Sequence, residues 1–94
     1  MIEVYAIAIS DLPSTEDLFS SLPPSLRLPW EKKHASLRRE AQRRSSLGCM
    51  YLLSQCAPAG TLFYEQHGRP CFMDIPVSFS LSHNEQIAVC AVYK

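Results

Sequence analysis

The sequence predicts an α+β domain in which one long helix packs on a mostly antiparallel sheet. Three observations predict it. A proline-free stretch from Trp30 to about Gln55 repeats apolar residues at helical spacing. Val77–Ser82 alternates Val77, Phe79 and Leu81 with Ser78, Ser80 and Ser82, the period of a half-buried strand. Short apolar runs bounded by turn residues flank these two segments, giving the order strand, helices, then three or four strands, without an internal repeat.

The first strand spans Ile2–Ile9, where Val4, Tyr5, Ile7 and Ile9 give β propensity with both faces apolar, the signature of a central strand. Asp11-Leu12-Pro13 breaks it, and Ser14 caps a short helix from Thr15 to Leu22 with Glu16 and Asp17 in its first turn. Pro23-Pro24 stops that helix and Pro29 punctuates again. The long helix follows. Ala57-Pro58-Ala59-Gly60 ends it. Thr61–Glu65 predicts a short strand, His67-Gly68-Arg69-Pro70 a turn, and Cys71-Phe72-Met73 a second short apolar run. His83-Asn84-Glu85-Gln86 turns the alternating strand into Ile87–Tyr93, an almost continuously apolar strand expected to be buried.

A chain of 94 residues makes one small domain. At 47% hydrophobic and 19% charged it is globular rather than disordered. Nine basic and nine acidic residues cancel, which argues against a broadly cationic nucleic-acid binder. The balance is global only. Arg27, Lys32, Lys33, Arg38, Arg39, Arg43 and Arg44 face only Glu31 and Glu40 between positions 27 and 44. Aromatic residues are not interleaved with that run as stacking platforms require. Cys49, Cys56, Cys71 and Cys90 lack CxxC spacing and sit in or beside apolar runs, so they read as small buried hydrophobes of a reducing compartment. The apolar run at Ile2–Ile9 is interrupted by Glu3, is too short to span a bilayer and lacks signal-peptide flanks. A cytoplasmic protein without membrane partners is expected.

On a helical wheel, Trp30, Leu37, Ala41, Gly48, Tyr51 and Leu52 fall within a sector of roughly 100°, and Arg44 falls inside it. A guanidinium there must snorkel, form a structural ion pair or meet a buried anion such as phosphate. Ser82-His83 sits where a strand enters a turn, positioned by a rigid element yet reachable by a ligand. The histidine reads as surface, as a hydrogen-bond donor to a pyrophosphate, or as an acid–base group. No G-x-S-x-G elbow supports a hydrolase. Gly68-Arg69-Pro70 is a tight turn with a cation, open to close approach at Gly68. Asp74 and Glu85 are isolated, which leaves no motif for metal ligation.

Taken together, three of these segments resemble the two-lobed 4′-phosphopantetheinyl transferases of the surfactin-synthetase-activating type. Arg43-Arg44-Ser45-Ser46-Leu47-Gly48-Cys49-Met50-Tyr51-Leu52-Leu53 is similar to the family's arginine-containing helix, and His67-Gly68-Arg69-Pro70 to its aromatic-Gly-Lys-Pro turn. Phe79-Ser80-Leu81-Ser82-His83-Asn84 resembles its Phe-Asn-(Ile/Leu)-Ser-His-Ser signature, with Ile87–Val92 as the hydrophobic strand that follows. Arg69 stands where the family has Lys, and Ser80 where it has Asn.

The resemblance implies that residues 1–94 form a single N-terminal lobe of a pseudo-dimer that holds coenzyme A in the cleft between its lobes. It implies coenzyme A contacts from Lys32 (or Lys33 or Arg39 after a register slip) and Arg44. It adds Gly68, Arg69 and Pro70 around the adenine and 3′-phosphate, and Ser82 and His83 at the phosphates. The complete enzyme would move 4′-phosphopantetheine from coenzyme A to a serine of an acyl or peptidyl carrier protein. Magnesium is expected only there, because the family's Gly-(Ile/Val)-Asp-(Ile/Val)-Glu segment and Trp-x-x-Lys-Glu helix have no counterpart among these residues. No catalytic residue and no metal ligand is therefore expected here. The expected partners are the carrier protein and either the second lobe or another copy of the chain, with no nucleic acid. The alternative is a non-catalytic lobe that binds coenzyme A or self-associates.

Overall fold

The computed structural model describes residues 1–35, 39–57 and 60–93. Three strands form the main sheet: β1 (Ile2–Ala8), β4 (Ser78–His83) and β5 (Ile87–Tyr93), in the order β1-β5-β4 with both pairings antiparallel. The pairs run from Ile2–Tyr93 to Ala8–Ile87 on one side and from Ser78–Tyr93 to His83–Ala88 on the other. A separate hairpin joins β2 (Leu62–Tyr64) to β3 (Pro70–Phe72). Helices α1 (Thr15–Ser21), α2 (Pro24–Lys33) and α3 (Glu40–Cys56) intervene between β1 and the hairpin. Helix α3 lies against β5, so the α+β architecture expected from the sequence is present.

Four local expectations need correction. The stretch from Trp30 to Gln55 is not one helix: α2 ends at Lys33 and α3 begins at Glu40. Pro29 lies inside α2 rather than before a helix. It removes a single intrahelical donor, and the helix continues because Leu26 and Trp30 on either side are anchored in the core. Buried Trp30 explains the fold-back, since its indole N–H donates to Ser46 Oγ of α3 at 2.9 Å. That bond ties α2 to α3.

The first strand is an edge strand, because β5 takes the centre. Strand β5 is not buried on both faces. Ala88, Cys90 and Val92 lie in the core at 0% exposure, whereas Ile87 and Tyr93 remain 40% and 39% exposed. A single layer of helix covers only one face of the sheet, so alternate residues stay open.

The core gathers Leu18 of α1, Leu26 and Trp30 of α2, Leu47 and Leu53 of α3, Leu62, and the inward residues of β5. Ser14 caps α1 as read from the sequence, its Oγ accepting from the Asp17 N–H at 3.2 Å. Gly48 lets α3 approach the sheet: a Cβ there would lie 2.8 Å from Leu12 Cδ1 and 3.3 Å from Ala88 Cβ. None of the described helices is long and apolar enough to cross a membrane.

Candidate functional site

Strand β4 sends Phe79, Leu81 and His83 toward the helical layer, and Ser78, Ser80 and Ser82 to the other face. His83 thus overlooks α3, at the mouth of a cleft of about 180 Å³. Ser46, Cys49 and Met50 of α3 line it, with Lys33 and His34 at the end of α2 and Tyr64, Gly68 and Pro70 from the hairpin. Leu81 completes the wall. The volume is below the roughly 300–1,000 Å³ of pockets that enclose a drug-sized ligand. It suits one end of a longer molecule.

The hairpin turn is built around Gly68, at φ +87°. That left-handed conformation suits glycine because it carries no Cβ penalty. A Cβ at Gly68 would come within 3.3 Å of Lys33 Nζ, so glycine also makes room for the lysine. The Glu65 carbonyl accepts from the Gly68 N–H at 2.8 Å, and the Arg69 carbonyl accepts from the Glu65 N–H at 2.8 Å. The bend is therefore held by its own backbone.

His34 stacks between two aromatic rings, 5.2 Å from Trp30 and 5.9 Å from Tyr64, edge-on to the latter. Burial lowers its pKa below the usual histidine value, and the positive charges of Lys33 and His83 add to the effect. Lys33 Nζ also lies over the Tyr64 ring at 5.7 Å. Burial pushes the Tyr64 hydroxyl up to about 12, so it stays protonated as a donor.

Two neighbouring clefts extend this one. Lys33 and Tyr64 also line a cleft of about 460 Å³ with Pro29, Lys32, Leu62 and Phe63. His83 also lines a cleft with Arg39, Gln42, Ser45 and Glu85. Lys33, His34, His83 and Arg39 thereby follow one another along the α2–α3–β4 side of the domain.

The residues singled out in the sequence divide accordingly. Gly68, Pro70 and His83 share the central cleft, with Lys33 rather than Lys32 supplying the ammonium. Lys32 sits in the adjoining cleft. Arg69 lines the opposite side of the hairpin beside Pro70, Phe79 and Ser80. Ser82 takes the outer face of the sheet, although its carbonyl lies 3.5 Å from Cys49 Sγ.

Arg44 is half-buried and turned toward the exit of β1. It donates to the carbonyls of Pro13 at 2.5 Å, Leu12 at 2.8 Å and Ile9 at 3.0 Å. It lines none of the three clefts above. The misplaced charge seen on the helical wheel meets backbone carbonyls of the chain reversal before α1, of which that of Ile9 also accepts from the Leu12 N–H at 3.2 Å.

Sequence reading missed His34 and Tyr64. Their signal was faint: His34 follows Lys33 where α2 ends, and Tyr64 is the last residue of a strand before the Gly68 turn. Asp74 accepts from the Thr61 N–H at 2.8 Å and from its hydroxyl at 2.7 Å. Those two bonds hold its carboxyl below the ordinary value. No group of three or more His, Cys, Asp and Glu side chains among the described residues is placed to hold a metal. The sequence matches no protein-family model and no curated relative.

Proposed function

We propose that the chain is a coenzyme A-binding lobe of a 4′-phosphopantetheinyl transferase, the complete enzyme passing phosphopantetheine to a carrier-protein serine. The observation that carries the reading is the cleft shared by Lys33, His34, Gly68, Pro70 and His83. It unites the Gly-Arg-Pro turn and the Ser-His strand end, two of the three segments that carry the resemblance. A phosphomonoester fits it. Lys33 supplies a positive charge, His83 and His34 supply ring N–H donors, and Gly68 makes room for the lysine beside the turn. The lobe's own task is to bind and orient, leaving charge neutralisation at the reacting phosphate to groups outside it.

Isothermal titration of coenzyme A into Lys33→Ala and His83→Ala tests the reading. Each substitution is expected to weaken binding by about 1.5–3 kcal/mol, the range for hydrogen bonds to charged groups. Unchanged affinity in both variants would remove the proposal's basis.

A second reading is favoured by the uncovered sheet face, where Ile2, Val4, Ile87 and Tyr93 are 64%, 66%, 40% and 39% exposed. Ala6, Val89 and Ala91 lie between them in register, and Ser78, Ser80 and Ser82 flank them on β4. None of these side chains is charged, so two copies meeting face to face bury no unpaired charge. In this reading the chain self-associates by sheet-on-sheet packing.

A further inference from the structure

Cys56 and Cys90 bring their sulfurs to 4.0 Å although 34 positions separate them in sequence. Cys56 is the last residue of α3 and is half-buried, with its Sγ 3.2 Å from the Leu52 carbonyl. Cys90 is at the middle of β5 with 0% exposure. We infer that these two thiols form a reversible disulfide that staples the last turn of α3 to the central strand of the sheet.

The geometry favours this pair over the other cysteines. Closing the gap to the roughly 2.05 Å of a disulfide asks for side-chain rotation on two well-packed elements. Cys49 is 2% exposed, and its Sγ is directed toward the carbonyls of Ser82 at 3.5 Å and Val89 at 4.0 Å. Cys71 is in the hairpin strand β3, outside the main sheet. Burial, and then the neighbouring Cys56, push the Cys90 thiol up to about 12, which leaves half-buried Cys56 to meet the oxidant.

With a peroxide as oxidant, Cys56 Sγ attacks one peroxide oxygen and the O–O bond breaks, giving a sulfenic acid and one molecule of water. Cys90 Sγ then attacks the Cys56 sulfur. The S–O bond breaks, and the departing hydroxide takes the Cys90 proton as a second water. The two thiols lose two electrons in all, and the peroxide gains them. A dithiol reverses the change by exchange.

The test treats the native 94-residue chain with hydrogen peroxide, blocks remaining thiols by alkylation and digests with a glutamate-specific protease. Cleavage after Glu40, Glu65 and Glu85 separates residues 41–65, 66–85 and 86–94. The expected product is a cross-link between 41–65 and 86–94 that dithiothreitol removes. It should persist in Cys49→Ala and vanish in Cys56→Ser. A cross-link to 66–85, one that survives Cys56→Ser, or over-oxidation of Cys56 without any cross-link would overturn the assignment.

Discussion

Lys33 Nζ lies within 3.3 Å of the point where a side chain at Gly68 would begin, so the end of α2 and the hairpin turn meet across an empty glycine face. Lys33, Gly68 and His83 line one cleft, the one proposed to take a phosphate. A methyl group at Gly68 should disturb both the turn and the lysine. For Gly68→Ala we expect about 1–2 kcal/mol of lost stability from the left-handed backbone, together with weaker coenzyme A binding. Urea unfolding and calorimetry on the same variant measure the two effects. Full stability with full affinity would show that the turn tolerates a side chain.

Arg44 clasps the carbonyls of Ile9, Leu12 and Pro13. Its removal leaves those acceptors without their charged donor, and Arg44→Ala should cost about 1–3 kcal/mol in urea unfolding. An arginine that served the ligand instead would show the reverse pattern, with a large loss of affinity and little change in midpoint.

Trp30 and Ser46 form the buried bond between α2 and α3. Ser46→Ala strands the indole N–H in the core, an expected loss of about 1–3 kcal/mol. Adding Trp30→Phe removes the stranded donor, so the double variant should be more stable than the sum of the two single losses. Strict additivity would mean that the bond carries no coupling.

His34 sets a pH dependence. Its folded pKa lies below the ordinary value of 6.5, because burial, Lys33 and His83 all oppose its charge. The unfolded chain therefore takes up the proton first as pH falls. Stability from neutral His34 is complete above about 6.5 and is lost as pH drops through the folded pKa. His34→Gln should flatten that part of the curve. A bound phosphate should shift the His34 titration upward in NMR, and an unshifted titration would place the anion elsewhere.

Much of the fold was legible because the chain is punctuated. Ser14 before an acidic first turn marks α1, the Val77–Ser82 alternation gives β4, and the Asn84 turn delivers β5 from Ile87 to Tyr93. What was not legible was tertiary. No strong helix breaker lies between Lys33 and Glu40, so the fold-back rests on Trp30 reaching Ser46, a contact 16 positions apart. The wheel singled out Arg44 correctly as a charge needing partners, but periodicity is silent on whether those partners are ligand phosphates or carbonyls of a neighbouring loop. Ser82 and His83 read as a pair because they adjoin, whereas strand geometry sends them to opposite faces.

The open sheet face predicts association. Val4, 66% exposed, lies on its edge strand, and Val4→Lys places a charge where two copies would meet. Sedimentation velocity of the native chain is expected to show dimer at high concentration and monomer for Val4→Lys. A native chain that stays monomeric throughout contradicts self-association through this face.

In the proposed function, the Lys33–Gly68–His83 cleft grips the 3′-phosphate of coenzyme A. Titrating the chain in parallel with coenzyme A and with dephospho-coenzyme A, which differ only in that phosphate, tests it most directly. Coenzyme A is expected to bind at least about tenfold more tightly, the gain from one charge-assisted contact. Equal affinity for the two, or no binding of either, would contradict it.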